Sequence, residues 1–131
     1  MIFVDTSAWY AGYSARDANH AAAEAFHLAS TAPFITTDYV VDETLTLFKC
    51  RGNYELAVEL GRKLFSGQLA KLIQVTNEVV AAAWQVFSTY RDKAWSFTDC
   101  TSYVVMQRLG LTEAFAFDEH FRQFGFAVVL P

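Results

Sequence analysis

The sequence predicts an α/β fold: a central parallel sheet of about four to five strands with helices on both faces. Two observations carry this expectation. Short apolar runs, among them Met1-Ile2-Phe3-Val4 and Ala114-Phe115-Ala116-Phe117, have strand length and no polar alternation, as strands covered on both sides do. Between such runs lie stretches with apolar residues at i, i+3, i+4 and i+7, the period of an amphipathic helix. The two signals alternate along 131 residues without a repeat, a low-complexity stretch or a linker, so one domain over residues 1–131 is expected.

Taken in order, Ile2–Val4 is the first strand, and Thr6 or Ser7 can cap a short helix through Ala11. Asp17 caps the next helix, where Ala22, Ala25, Phe26 and Ala29 keep helical spacing. Pro33 breaks the chain before a short strand, Phe34–Thr36. A helix from about Tyr39 to Lys49 carries Val40, Thr44, Leu47 and Phe48 on one face. Gly52-Asn53 is a turn signal, and the helix Tyr54 to Phe65 buries Ala57, Leu60, Gly61 and Leu64. Leu72–Val75 is the third strand. Thr76 caps a helix whose apolar face is marked by Val80, Ala83, Trp84, Phe87 and Tyr90. A last long helix runs from Thr98 to near Leu109, where Gly110 stops it. Ala114–Phe117 is the fourth strand and Phe126–Leu130 an edge strand.

Hydrophobic residues make up 53% of the chain, enough for a core without disulfides or a structural metal. Charged residues, at 18%, are too few for a disordered chain, and no apolar run reaches membrane-spanning length. No basic-then-apolar leader is visible, and Cys50 and Cys100 form no metal or redox motif; both are expected as buried, reduced thiols of a cytoplasmic protein. A net charge of −4 argues against coating nucleic acid by general electrostatics. It does not exclude an enzyme acting on nucleic acid, since acids clustered in one cleft account for the excess and bound cations reverse the local field. The basic groups Lys49 with Arg51, Arg62 with Lys63 and Arg91 with Lys93 read as solvated helix ends.

Four acids stand out. Asp5 and Asp118 each end a strand-like run, and in open α/β sheets ligands bind outside the carboxyl ends of strands. Asp99 falls in the first turn of its helix. Glu43 has apolar flanks at Val40 and Leu47, so it borders the core-facing side of its helix, where an acid is seldom without a partner. Each also has a plainer reading: helix cap for Asp5, dipole stabiliser for Asp99, turn residue for Asp118. Together they are oxygen donors suited to a hard divalent cation. Asp42 points elsewhere, toward solvent. His20 and His27 are expected on the surface; His120, near Asp118, could touch substrate, but a surface position is the favoured reading.

Asp5-Thr6-Ser7 after a strand, Glu43 in a helix, Thr98-Asp99 opening a helix and Phe117-Asp118-Glu119-His120-Phe121 resemble the PIN-domain ribonucleases, most closely the VapC-type toxins of toxin–antitoxin modules. The resemblance spans the chain. It implies that Asp5, Glu43, Asp99 and Asp118 are catalytic ligands of Mg²⁺ or Mn²⁺, with Glu119 able to supplement Asp118. Thr6 and Ser7 would support the site and, with Ser102 on the face of Asp99, contact substrate. The implied activity is endonucleolytic hydrolysis of RNA by a metal-activated water, leaving 5′-phosphate and 3′-hydroxyl ends. The implied partners are an RNA substrate, a cognate antitoxin that blocks the cleft with a basic side chain, and a second copy in a homodimer. Tyr10, Tyr13, Tyr54 and Trp95 are candidates for protein interfaces.

Other classes fit less well. A haloacid-dehalogenase-like phosphatase needs a second Asp where Ser7 stands, and a receiver domain needs an acid where Thr76-Asn77 follow Val75. None of the six glycines forms a phosphate loop. The alternative from another class is a non-catalytic PIN-like module for protein interaction or RNA binding.

Overall fold

Ile2, Phe3 and Val4 form strand β1 (Ile2–Val4) and all three are buried, so both faces of this strand are covered. The computed structural model describes residues 1–129. Its other strands are β2 (Phe34–Thr37), β3 (Lys71–Ile73), β4 (Glu113–Phe115) and β5 (Ala127–Val128). They form one parallel sheet in the order β3-β2-β1-β4-β5. The chain moves outward from β1 through β2 to β3, then returns to the other side of β1 as β4 and β5. The boundary between β1 and β4 is therefore the topological switch point, outside which α/β sheets place their crevice.

Among the described residues seven helices connect and cover these strands: α1 (Thr6–Tyr13), α2 (His20–Ala29), α3 (Asp38–Cys50), α4 (Tyr54–Phe65), α5 (Asn77–Thr89), α6 (Phe97–Leu109) and α7 (His120–Gln123). Helix α1 packs on both α2 and α3, α3 packs on α4, α5 packs on α6, and α3 also touches α6. Among the described residues no helix is long and apolar enough to cross a membrane.

The strand-to-helix junctions near the crevice have almost no loop. Asp5 itself caps α1, its side chain accepting from Ser7 N, so the helix starts one residue earlier than a Thr6 cap implies and two earlier than a Ser7 cap. Thr37 ends β2 and caps α3 by accepting from Val40 N at 3.1 Å. Asp38 is thus the first residue of α3 rather than a loop residue, and its Oδ1 accepts from Val75 N at 2.8 Å. The αL conformation that stops α6 falls on Gly110, with φ of 67°, which costs glycine no Cβ clash.

Two helices turn a different face inward than their hydropathy implies. On α2 the buried residue is Ala23, while Ala22, Ala25 and Ala29 are exposed. Alanines at nearly every early position leave no phase in the pattern. On α5 the inward residues are Val79 and Ala83, whereas Trp84, Phe87 and Tyr90 are exposed. Small residues let α5 approach α6 closely, and the large rings are left outside. The cap of α2 also shifts: Asn19 precedes the helix, and Asp17 instead accepts from Asn19 N at 2.8 Å. Cys100 is buried as expected but Cys50, at the end of α3, is exposed. The edge strand is shorter than expected, and Leu130 lies outside the described residues.

A buried polar link locks β1, β2 and α1 together. The Thr36 hydroxyl donates to Val4 O at 2.9 Å and accepts from Trp9 Nε1 at 3.4 Å. Thr36→Val keeps the volume but leaves the indole N–H and one lone pair of Val4 O without this partner. It should cost about 1–3 kcal/mol, the range for an unsatisfied buried polar group. Urea unfolding checks this, and a change below roughly 0.5 kcal/mol contradicts it.

Candidate metal centre

Asp5 leaves β1 with its N–H bonded to Phe115 O at 3.1 Å, extending the pairing of β1 with β4 by one residue. Its Oδ2 accepts from Ser7 N at 3.2 Å and Ser7 Oγ at 2.8 Å. The same Ser7 hydroxyl accepts from Phe117 N at 3.0 Å, so one side chain ties the ends of both strands. Asp5 Oδ1 is buried and has no hydrogen-bond partner among the described residues. A buried carboxylate oxygen left this way is costly unless something positive completes it.

Asp99 enters from the first turn of α6, in a reciprocal cap: it donates its N–H to Ser96 Oγ at 3.0 Å, and its Oδ2 accepts from Ser96 N at 3.0 Å. That oxygen also lies 2.7 Å from His120 Nδ1. Asp118 accepts from His120 N through Oδ1 at 3.1 Å, and its Oδ2 stands 3.8 Å from His120 Nδ1. Glu43 reaches in from α3, half-buried, beside the Thr6 hydroxyl.

These side chains line one open cleft of about 650 Å³. Among the described residues five carboxylates, from Asp5, Asp42, Glu43, Asp99 and Asp118, border it, and no lysine or arginine does. One ligand atom each from Asp99, Asp118 and His120 lies within 4.8 Å of the others. With the unpartnered oxygen of Asp5 alongside, the donors are mostly hard oxygens, the set that suits a hard divalent cation.

The electrostatics agree with the geometry. Burial, then the charges of Asp118 and Asp99, hold Asp5 well above the usual carboxylate range, and the Ser7 hydrogen bonds only partly offset this. Burial raises Asp118 as well; His120 pulls it back and Asp99 pushes it up. Glu43 is raised by burial, lowered by the Thr6 hydrogen bond, and raised again by the charges of Asp99, Asp118 and Asp42.

Asp5, Thr6, Ser7, Glu43, Asp99 and Asp118 all line this cleft, and of them Asp99 and Asp118 stand with His120 at metal-ligating distance. Ser102 is not among the lining residues: it is 0% exposed and its hydroxyl has no hydrogen-bond partner among the described residues, so the expected substrate contact there does not hold. Thr6 and Ser7 line the cleft, but their hydroxyls are engaged within the protein. Glu119 is exposed and pairs with Arg122 at 3.2 Å instead of supplementing Asp118. Asp42 is exposed, yet it stands on the rim of the cleft. His120, for which the sequence favours a surface position over a substrate contact near Asp118, instead lines the cleft and lies 2.7 Å from Asp99 Oδ2. Its place two residues after Asp118, at the start of α7, was the available signal.

A family model for the PIN domain matches residues 2–127. The chain belongs to the PIN domain family. This PIN domain is 34% identical over 131 residues to the 23S rRNA-specific endonuclease VapC20 of Mycobacterium tuberculosis, covering 100% of this chain and 99% of that protein. The crystal structure of Mycobacterium tuberculosis VapC20, a sarcin–ricin loop cleaving toxin, is similar with a TM-score of 0.94 and 32% identity over 100% of both chains. FitAcB from Neisseria gonorrhoeae is similar with a TM-score of 0.71 and 18% identity over 98% of this chain and 96% of that one, which is a likeness of fold.

In the metal-free PIN domain the raised carboxylates set a pH dependence. Asp5 in the folded state holds its proton to higher pH than its ordinary 3.8. Folding therefore gains stability as pH falls through the folded-state value, and the gain is complete below the ordinary one. Asp118 and Glu43, also raised, act in the same direction. Asp5→Asn retains a capping side chain and removes the charge. In EDTA at pH 7 it should stabilise the protein by about 1–3 kcal/mol and flatten the gain in stability as pH falls from neutrality toward 3.8. A lower melting temperature for Asp5→Asn under these conditions contradicts the assignment.

Proposed function

We propose that this chain is a divalent-metal-dependent endoribonuclease, the toxin of a type II toxin–antitoxin pair. It hydrolyses a phosphodiester bond of structured RNA and leaves 5′-phosphate and 3′-hydroxyl ends. The observation that carries the reading is the meeting of Asp5, Glu43, Asp99 and Asp118 in one cleft, with the buried Oδ1 of Asp5 unpartnered.

Asp5 and Asp118, past the ends of β1 and β4, Asp99 at the start of α6 and Glu43 on α3 would hold the cation. Such a site, loaded with Mg²⁺ or Mn²⁺, would supply the Lewis acidity that lowers the pKa of a hydrolytic water and offsets phosphate charge. Ser7 fixes the orientation of Asp5 by occupying its Oδ2. His120 does the same for Asp99 through its Oδ2. These bonds preorganise the carboxylates, so little is spent on reorganisation when substrate arrives. Attack by the ribose 2′-hydroxyl would call for a general acid–base pair, usually two histidines. Of the three histidines only His120 lines the cleft, and His20 is bound to Ala11 O at 2.8 Å on another part of the surface. Hydrolysis by water is thus the chemistry that these side chains favour.

The similarity to VapC20 over the full length supports ribosomal RNA as substrate, with the sarcin–ricin loop of 23S rRNA the first site to test. A cognate antitoxin that inserts a basic side chain among the five acids is the natural inhibitor, and the protein works in the cytoplasm as a homodimer. The non-catalytic alternative gains no support, since none of the four expected acids is missing from the cleft.

Purified protein with intact ribosomes should cut RNA in Mg²⁺ or Mn²⁺ and not in EDTA. Asp5→Ala and Asp99→Ala should each lower the rate at least about a hundredfold, since metal stabilisation of the transition state is worth several kcal/mol. Thermal melts check that the variants fold. Expression without an antitoxin should arrest growth. Cleavage that persists in EDTA, or products ending in 2′,3′-cyclic phosphate, overturns the mechanism.

A further inference from the structure

A second concavity, of about 380 Å³, runs between α3 and α4 and opens beside the acidic cleft. The two share Thr46 as a lining residue. Along α3, Asp42, Thr46 and Lys49 stand at i, i+4 and i+7, so one helix face passes from the cleft into the groove. From Asp42 to Lys49 this is about 10 Å at ~1.5 Å per residue.

The charges change sign along that path. The cleft is bordered by five carboxylates and no lysine or arginine; the groove is lined by Lys49 and Arg62 and by no carboxylate. Neither cation is in an ion pair among the described residues, whereas the neighbouring Lys63 pairs with Glu59 at 3.5 Å. Exposed rings flank them: Tyr54 is 58% exposed, with Lys49 Nζ 5.9 Å from its centroid, and Phe65 is 62% exposed. Gly61 lies in the floor. A Cβ there would approach Leu45 Cδ1 and Cδ2 to 3.3 Å, so the missing side chain lets α4 sit close on α3.

We propose that this groove seats the RNA strand flanking the scissile phosphate, with backbone phosphates on Lys49 and Arg62 and a base against Tyr54 or Phe65. The inference rests on the nuclease reading and adds the place where affinity arises. Five acids repel a polyanion, and a cation bound among them offsets only part of that charge. Substrate affinity then requires a cationic surface next to the cleft, and aromatic faces beside such a surface stack bases without regard to sequence. Lys49 and Arg62 also stand in the last turns of their helices, where they offset the helix dipoles. That role predicts a change in stability and none in RNA binding. An antitoxin segment or a second copy in the groove likewise predicts unchanged RNA binding.

The test is fluorescence anisotropy of a labelled RNA hairpin with single-stranded flanks, in Mg²⁺ at several salt concentrations. It uses the Asp99→Asn protein, so that turnover does not consume the probe. Adding Lys49→Ala and Arg62→Ala should weaken binding roughly tenfold and lower the slope of log Kd against log salt by roughly 1.4, at ~0.7 per phosphate contact on single strands. A charge-matched pair, Lys71→Ala with Arg108→Ala, should change neither. Lys71 opens β3 and Arg108 lies in the last turn of α6, both at the ends of their elements away from the cleft. If the alanine pair does not fold, Lys49→Gln with Arg62→Gln keeps much of the alkyl stems and serves in its place. Equal affinity and slope with and without the groove substitutions overturns the groove. Loss in the groove pair together with wild-type protein that cuts no RNA rejects the nuclease reading and keeps the RNA surface. A protein that binds no RNA at any salt overturns both.

Discussion

The parallel pairing of β1 with β4, in the register Val4 opposite Phe115, is the constraint on which the site depends. It sets the carboxyl end of the first strand beside that of the fourth, and so Asp5 beside Asp118. Ser7 then bonds to both strand ends, to Asp5 in its own turn and to Phe117, 110 residues away. Closing so long a loop costs only logarithmically more than closing a short one, so distant partners are thermodynamically accessible once the core forms. The core supplies the stability: Phe3, Val4, Ala114 and Phe115 are buried, and Phe3 packs against Phe121 with ring centroids 6.1 Å apart. The short helix α7 is thereby anchored, and with it the His120 that grips Asp99.

Around this junction the protein concentrates like charge that folding by itself disfavours. Asp5 is 2% exposed and Asp99 4%, both within a cluster of further acids. Local rules are obeyed at the backbone, where Asp5 and Asp99 each make a favourable cap, and violated between side chains, where the carboxylates repel. Such a conflict, held in place by the surrounding packing, is what a preorganised site for a cation requires. The caps explain why the conflict is tolerated. Asp5 accepts from the N-terminus of α1 and Asp99 from that of α6, so each helix end supplies part of the positive field that the cluster lacks.

The net charge of −4 conceals this arrangement. An acidic cleft and a cationic groove lie side by side on α3, and their difference matters more than their sum. A chain that is acidic overall can still present a polyanion with a favourable path, provided that the cations are grouped where the strand would run.

The sequence by itself determined what depends on near neighbours. The apolar run at Ile2–Val4, the helix Tyr54–Phe65, the cap at Thr76 and the stop at Gly110 are written in local periodicity and turn chemistry, and they stand where the pattern put them. The order of the acids, with strands and helix starts to carry them, was legible for the same reason. The family resemblance then said which of them should meet. Only the tertiary structure decided which helix face turns inward, because the phase of α2 and α5 follows from what they pack against: Ala23 and Ala83 are buried while Trp84 lies outside. It likewise buried Ser102, exposed Cys50, brought His120 to within 2.7 Å of Asp99 and set Lys49 beside Arg62. Each of these is a relation between elements far apart in sequence. Sequence spacing carries the helical and strand periods, whereas contact across elements is set by sheet register and helix packing.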